Sequence, residues 1–179
     1  MKRILVIAGV LLSLTACKFG EENQSVKIDT PKEIKQKEKT TADVADQDFK
    51  DGMTGKVFHN YLEIKMALGN EDPGQVSDVA KSMAASFETE RPELKQLATE
   101  LSEASEIQEQ RRIFAEFTSK AGDMFEEALS GGTIYRKFCP MAFNNEGAYW
   151  YADVEKDTNP YFGSKMPECG AVEKTITKK

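Results

Sequence analysis

Four sulfur-bearing side chains stand in two short segments near the end of the chain. Cys139 and Met141 are two residues apart in the first segment, and Met166 and Cys169 are three apart in the second. Thiolates and thioethers are soft ligands that favour Cu(I) and similar metals over Mg, Ca or Mn. If the two segments lie side by side, these four residues would offer a site for one soft metal ion.

The third cysteine, Cys17, ends a segment typical of an exported protein. Lys2 and Arg3 precede the apolar run 4–12, and Leu14-Thr15-Ala16 leads directly into Cys17. The run is well short of the roughly 20 residues that span a bilayer, and its flanks fit a secretory signal peptide. We expect residues 1–16 to be removed and Cys17 to receive lipid, which would anchor the chain stably in a bacterial membrane.

The alternative for Cys17 is an ordinary signal peptide followed by an incidental cysteine. If the cysteine is lipidated, the residue after it bears on the location. Lys18 stands where an aspartate would be the usual cue for retention in the inner membrane. The expected location is therefore the bacterial envelope, at the outer membrane rather than the inner one.

Export also changes what Cys139 and Cys169 are expected to do. Two cysteines in an oxidising compartment commonly form a structural disulfide. Such a bond would close a loop of roughly 30 residues and stabilise the fold by about 3 kcal/mol in the chain-entropy description. It would leave only the two methionines as metal ligands. The cysteine chemistry alone favours the disulfide, and the metal site remains the competing interpretation.

The remaining residue types argue against an enzyme and against a nucleic-acid partner. The single histidine, His59, has no signature context, and the sequence suggests no Ser/His/Asp arrangement or glycine-rich phosphate loop. Removal of Lys2 and Arg3 leaves 22 basic against 30 acidic residues, and a net charge of −8 is unsuited to nucleic acid. We expect His59 to be a partly exposed helix residue. Four further methionines are expected to fill the core: Met53, Met66, Met83 and Met124.

Apolar residues recur at intervals of three and four in four successive segments, which predicts four amphipathic helices. Asp72-Pro73 and Arg91-Pro92 supply start signals for the second and third helices, and Ser130-Gly131-Gly132 is expected to end the fourth. Short connections between helices predict an antiparallel four-helix bundle. The four segments run over 49–68, 76–87, 94–101 and 107–128.

After residue 132 the pattern becomes strand-like and turn-rich. Residues 133–138 and 148–152 predict short strands, and Trp150 with its neighbouring tyrosines is expected to pack this cap on the bundle. The predicted fold is mainly α: an antiparallel four-helix bundle with a small irregular C-terminal cap containing one or two short strands. The expected divisions of the chain are a cleaved signal peptide (1–16), a lipidated cysteine and disordered tether (17–48), the folded bundle and cap (49–173) and a flexible tail (174–179).

A set of motifs spread over residues 49–173 carries a family resemblance. The motifs are Tyr61-Leu62, Lys65-Met66-Ala67-Leu68, Gln110-Arg111 with Phe114, Phe138-Cys139-Pro140-Met141-Ala142, Gly147-Ala148-Tyr149-Trp150, Asn159-Pro160-Tyr161-Phe162-Gly163, and Met166 with Cys169-Gly170. In order and spacing they resemble a bacterial envelope family known as domain of unknown function 3347. That family occurs as small lipoproteins and attached to periplasmic adaptor subunits of heavy-metal efflux pumps.

The resemblance implies a helical bundle with a small cap and an association with copper or silver export. It makes a heavy-metal efflux adaptor the expected protein partner, beside the membrane reached through the lipid anchor. The first hypothesis is therefore an envelope lipoprotein that captures Cu(I) through Cys139, Met141, Met166 and Cys169. The alternative is a non-enzymatic protein-interaction module without metal, locked by a disulfide between Cys139 and Cys169.

Overall fold

The computed structural model describes residues 47–179, which are mainly helical with a small antiparallel sheet. The expected signal peptide, the lipidated Cys17 and the tether as far as residue 46 lie outside the described residues. Within 47–179, no helix combines the length and apolar character that a membrane crossing needs.

Four long helices follow one another: α1 (Gly52–Gly69), α2 (Pro73–Ser86), α3 (Pro92–Glu103) and α4 (Ile107–Ala128). Asp72 caps α2 by accepting a hydrogen bond from the amide of Gln75 at 3.0 Å. Pro73 and Pro92 occupy the first turns of α2 and α3, where the missing N–H of proline costs no helical hydrogen bond. The four helices predicted from the apolar pattern are confirmed.

The aromatic centre of the core lies between α1 and α4. Tyr61 stacks on Phe114 with ring centroids 4.7 Å apart, and Phe58 meets Phe125 edge-on at 5.0 Å. None of the four rings is more than 1 % exposed. Helices α2 and α3 add aliphatic side chains to the same interior: Val76, Ala80, Met83, Leu94, Leu97 and Leu101.

The sheet is built around one long strand, β2 (Leu129–Cys139). The two-residue strand β1 (Asp48–Phe49) pairs with its beginning, and β3 (Ala148–Ala152) pairs with its second half. The last strand, β4 (Ala171–Lys178), pairs with β2 from Gly132 to Phe138. All pairings are antiparallel, and the sheet packs against α4 through β3.

The sheet is larger than expected, and several predictions about it need correction. Phe49 starts no helix but belongs to β1, and residues 130–132 continue into β2 instead of ending α4. Residues 174–178, expected to lie in a flexible tail, form most of β4. That strand buries no side chain fully, so no apolar alternation marks it in the sequence. It is held by the backbone ladder and by cross-strand pairs such as Thr133 with Thr177 at 3.0 Å.

The connection from β2 to β3 is an irregular turn over residues 140–147. Its residues Ala142–Asn145 form the one-turn segment α5, in which Phe143 and Asn144 have left-handed φ angles of 51° and 60°. Asparagine tolerates this geometry, whereas a bulky residue such as phenylalanine adopts it only under strain. A short 3₁₀ turn, Gly163–Lys165, lies in the connection from β3 to β4.

Candidate functional site

The register of β2 and β4 brings the two cysteines together. Phe138 pairs with Ala171, so Cys139, the last residue of β2, lies beside the residues that precede β4. The Sγ atoms of Cys139 and Cys169 are 2.8 Å apart, and both residues are free thiols. Cys139 is fully buried, and Cys169 is partly exposed. The pair therefore forms one corner of the cap, closed on the inside and accessible from one side.

Both methionines of the predicted site belong to the same corner. The amide of Cys169 donates a hydrogen bond to the carbonyl of Met166 at 3.2 Å, and the backbone of Met141 is near enough to the Cys169 thiol to lower its pKa, against the larger effects that raise it. Met141 is 47 % exposed, and Met166 is half-buried. The structure thus brings together, at the level of the backbone, all four residues that sequence reasoning selected.

The environment of Cys169 favours the protonated thiol. Its hydrogen bond with Cys139, together with burial, raises the pKa of the Cys169 thiol to about 11. Only thiolates bind soft metals, so a metal would have to displace protons that this corner holds firmly at neutral pH.

The sulfur separation can be compared with what a bridged metal needs. Metal–thiolate bonds of about 2.3 Å at a tetrahedral angle place two sulfurs about 3.8 Å apart. The observed 2.8 Å leaves no room for an ion between Cys139 and Cys169. Among residues 47–179, no group of three or more His, Cys, Asp or Glu residues is arranged to hold a metal. The two thiols fit direct S–S bonding without a large shift, whereas ligation of one ion requires them to move apart.

A buried asparagine holds the loop that carries Met166 and Cys169. The Asn159 side chain donates to the carbonyl of Cys169 at 2.6 Å and accepts from the amide of Tyr161 at 2.8 Å. Its own amide donates to the carbonyl of Pro167 at 2.9 Å. The Asn-Pro-Tyr motif is therefore a structural latch for the cysteine corner.

The Gln110-Arg111 motif on α4 is also structural. Arg111 is 2 % exposed and donates to the carbonyls of Pro160 at 2.9 Å and Leu68 at 3.2 Å. The Gln110 amide donates to the carbonyls of Pro73 and Ala104, both at 2.9 Å. Both side chains donate to carbonyls at helix ends or in loops, and so they join α4 to the neighbouring helices and the cap.

A buried ion network between α1 and the cap was missed by sequence reasoning. Lys65 lies 3.1 Å from Asp157 and 3.6 Å from Asp153, and Lys137 pairs with Asp157 as well. The indole N–H of Trp150 donates to Asp157 at 2.9 Å. No spacing rule connects residues so far apart in the sequence. The network balances two ammonium groups against two carboxylates, which is how buried charges are tolerated.

The other selected residues occupy the expected environments in most cases. The His59 side chain is 50 % exposed and lies 3.0 Å from Glu63 on the surface of α1. Met83 and Met124 are buried in the core, whereas Met53 and Met66 are only partly buried. Trp150 is buried within the cap, against Tyr161, and it is Tyr151 that meets Phe125 of α4, at 5.7 Å.

Part of the chain matches a known family model. Residues 57–130 match the model of a family described as "Protein of unknown function (DUF3347)". No curated protein and no solved structure matches the chain. The match covers the helical part from within α1 to the start of β2, and the cysteine corner lies beyond its end. The family resemblance seen in the sequence is thus confirmed over this range, in which the chain matches the DUF3347 model.

Proposed function

We propose that this protein is a non-enzymatic binding module of the bacterial envelope, with a cap locked by a disulfide between Cys139 and Cys169. The observation that carries the proposal is the 2.8 Å separation of the two sulfur atoms. In an oxidising compartment the two thiols lose two protons and two electrons to a disulfide oxidant and form the S–S bond. The bond then joins the end of β2 to the loop before β4.

The proposal includes the attachment of the module to a membrane. Cleavage before Cys17 and lipidation of that cysteine would anchor the chain, and residues 18–46 would serve as a spacer between lipid and domain. The signal-like segment and the Leu-Thr-Ala-Cys sequence support this arrangement. With Lys18 after the cysteine, the outer membrane is the proposed location.

The proposed scaffold is an antiparallel four-helix bundle. Its support is the set of helix contacts: α1 packs on α2, α2 on α3, α3 on α4, and α4 returns to α1. Such a closed circuit of short-linked helices is the arrangement found in bundles. A rigid scaffold of this kind suits a module that presents a surface to a partner.

A second candidate function is capture of Cu(I) or a similar soft metal. It is favoured by the convergence of Cys139, Met141, Met166 and Cys169 at one partly exposed corner. In the reduced protein the thiols would separate by about 1 Å to take one ion, because tetrahedral ligation sets a sulfur spacing of about 3.8 Å. The metal would then pass to a heavy-metal efflux adaptor, the partner that the resemblance implies.

Thiol labelling tests the first candidate. Protein isolated from envelopes under conditions that block thiol exchange is treated with iodoacetamide, and its peptides are analysed by mass spectrometry. We expect a Cys139–Cys169 cross-linked peptide and no alkylation at either residue. Quantitative alkylation of both cysteines would contradict the disulfide-locked module.

A Cu(I) competition titration of the reduced protein tests the second candidate. The informative variant is M141L/M166L, which removes both thioethers and retains their volume, and M53L/M66L on α1 is its matched control. Copper capture at the corner requires one tight equivalent that is weakened in M141L/M166L and kept in M53L/M66L. Equal affinities in the two variants would exclude the thioethers as ligands.

A further inference from the structure

An open groove of about 810 Å³ lies between the helices and the cap. One wall comes from the end of α3 and the first half of α4, and the other from the turn between β2 and β3. Apolar side chains line part of it, namely Ile113, Phe143 and Tyr149, and Tyr149 is 41 % exposed. These side chains form an apolar strip in a groove whose lining is otherwise mostly polar.

The charge of the groove is strongly one-sided. Five glutamates line it against a single arginine, Arg112: Glu100, Glu103, Glu109, Glu116 and Glu146. None of the five forms an ion pair with a residue that the structure describes. On the same helix, by contrast, Glu126 is paired with both Arg136 and Lys174. The groove therefore holds acidic charge that the described part of the chain does not compensate.

The spacing of the charges indicates what they could bind. Four lining residues share one face of α4. Counted from Glu109, the others lie three, four and seven positions further on: Arg112, Ile113 and Glu116. No three acidic residues within 47–179 are close enough together to hold a metal ion. Carboxylates spread along an apolar groove complement a segment with several positive charges better than they complement a single cation.

We propose that this groove docks a lysine- or arginine-rich amphipathic segment of a partner protein. Basic side chains of the segment pair with the glutamates, and its apolar side chains contact Ile113, Phe143 and Tyr149. The inference rests on the proposed function, because it names the partner class of the binding module. The turn between β2 and β3 connects the proposed disulfide to the groove. Cys139 ends β2 just before this turn, which supplies Phe143 and Glu146, so the disulfide would fix one wall of the groove.

The chain's own tether is a poorer occupant. Residues 18–46 contain six lysines against seven acidic residues, so the segment carries no net positive charge. A second copy of the chain is also disfavoured, because the net charge of −8 that remains without residues 1–16 would repel an acidic groove. A separate basic partner is left as the occupant that charge complementarity favours.

The test measures fluorescence anisotropy of a labelled amphipathic peptide made of lysine and leucine, with a glutamate-for-lysine peptide as control. The protein is the chain from residue 17 onward carrying C17S. We expect the lysine peptide to bind, with affinity falling as salt is added, and the glutamate peptide to remain free. Absence of binding by the lysine peptide overturns the proposal.

Two matched charge reversals on α4 locate the binding. E109K/E116K changes the groove, and D123K/E127K makes the same change of charge at exposed positions outside it. We expect E109K/E116K to weaken binding about tenfold or more and D123K/E127K to change it less than about twofold. Equal losses of affinity in the two variants would show that the peptide is attracted to the acidic chain as a whole, and would overturn the groove as the binding site. Circular dichroism checks that both variants are folded.

Further variants exclude the other occupants and separate this proposal from the disulfide. A large gain in peptide affinity when Lys32, Lys35, Lys37 and Lys39 are changed to Gln would identify the tether as the occupant and overturn the partner version. If the protein self-associates and E109K/E116K abolishes this association, the occupant is a second copy of the chain and the partner version is overturned. If thiol labelling finds no disulfide but E109K/E116K still abolishes binding selectively, the groove proposal is supported and the disulfide-locked cap is contradicted.

Discussion

At the scale of single residues, the guanidinium of Arg111 connects three parts of the chain. It bonds the carbonyl of Leu68 near the end of α1 and that of Pro160 in the cap, and it lies 3.6 Å from Glu71. A planar fork can reach separate acceptors at fixed angles, which a lysine ammonium on a flexible stem cannot do. The motif that carries the family resemblance on α4 thus stabilises the junction of helices and cap.

Replacing Arg111 by Lys is expected to lower the free energy of unfolding by about 2 kcal/mol or more, since at least one buried carbonyl loses its donor. Chemical denaturation followed by tryptophan fluorescence measures the loss. The neighbouring, exposed Arg112 provides the control, because Arg112→Lys is expected to change stability by less than about 0.5 kcal/mol. Equal effects at the two positions would contradict the structural role of Arg111.

Glu126 gives a prediction about pH. Burial alone would raise the pKa of this carboxyl, but hydrogen bonds from Lys174 and Tyr151 and the charges of Lys174 and Arg136 outweigh it and lower the pKa. The folded-state pKa therefore lies below the unfolded one. The ionised carboxylate stabilises the fold above the unfolded pKa of about 4.3, and this stabilisation is lost as pH falls through the folded pKa.

In E126Q, we expect the stability near neutral pH to fall and its decrease on acidification below about pH 5 to become shallower. Urea unfolding at a series of pH values measures both effects. E127Q, at the exposed position next to it, serves as control. An unchanged pH profile in E126Q would show that the contacts with Lys174, Tyr151 and Arg136 contribute nothing to the acid sensitivity.

At the scale of the elements, the cap depends on how closely the residue before β4 approaches Trp150. Gly170 has φ 136°, and a Cβ atom there would lie 2.3 Å from the Trp150 ring. Only glycine permits both the backbone conformation and the contact. The same residue follows Cys169, so the fit of β4 against the cap and the meeting of the two cysteines depend on one another.

Gly170→Ala is expected to destabilise the protein by about 2 kcal/mol or more, because the strained backbone and the overlap with Trp150 act together. Thermal unfolding measures the change, and near-ultraviolet circular dichroism reports the environment of Trp150. Gly52→Ala is the matched control: nothing lies within 4 Å of its Cβ position, and it stands in the first turn of α1. A Gly170→Ala variant as stable as Gly52→Ala would refute the close packing.

At the scale of the whole molecule, the segment that matches the family is not a closed structural unit. Within 57–130, Tyr61 and Phe125 face the cap: the amide of Tyr151 donates to the Tyr61 hydroxyl at 3.0 Å, and the Tyr151 ring packs on Phe125. Lys65 finds its carboxylate partners in the cap as well. Without the cap, this face of the helices is open to water.

A fragment comprising residues 47–130 is therefore expected to keep helical far-ultraviolet dichroism but lose cooperative unfolding and slow amide exchange. The comparison is residues 47–179 measured under the same conditions. Cooperative unfolding of the fragment, at a stability near that of the longer chain, would show that the helices fold without the cap.

Local signals in the sequence determined the helical part of this protein. The three-and-four spacing from Val57 to Leu68, the Asp72-Pro73 start and the stripe ending at Ala128 depend only on neighbours along the chain. The closeness of Cys139 to Cys169 agrees with the expectation that two cysteines of a chain predicted to be exported lie near each other. The family was also recognisable, because motif order is a property of the sequence.

Only the tertiary structure decided the extent of the sheet and the partners of the buried charges. Most side chains of β4 are exposed and none is fully buried, so its place beside β2 follows from backbone pairing that no local pattern reveals. Lys65 meets Asp157 across 92 positions, and the groove joins α3, α4 and the cap turn. Such contacts form because packing of the core brings distant segments together. The free energy of burying and pairing these charges therefore depends on the whole fold rather than on any one stretch of chain.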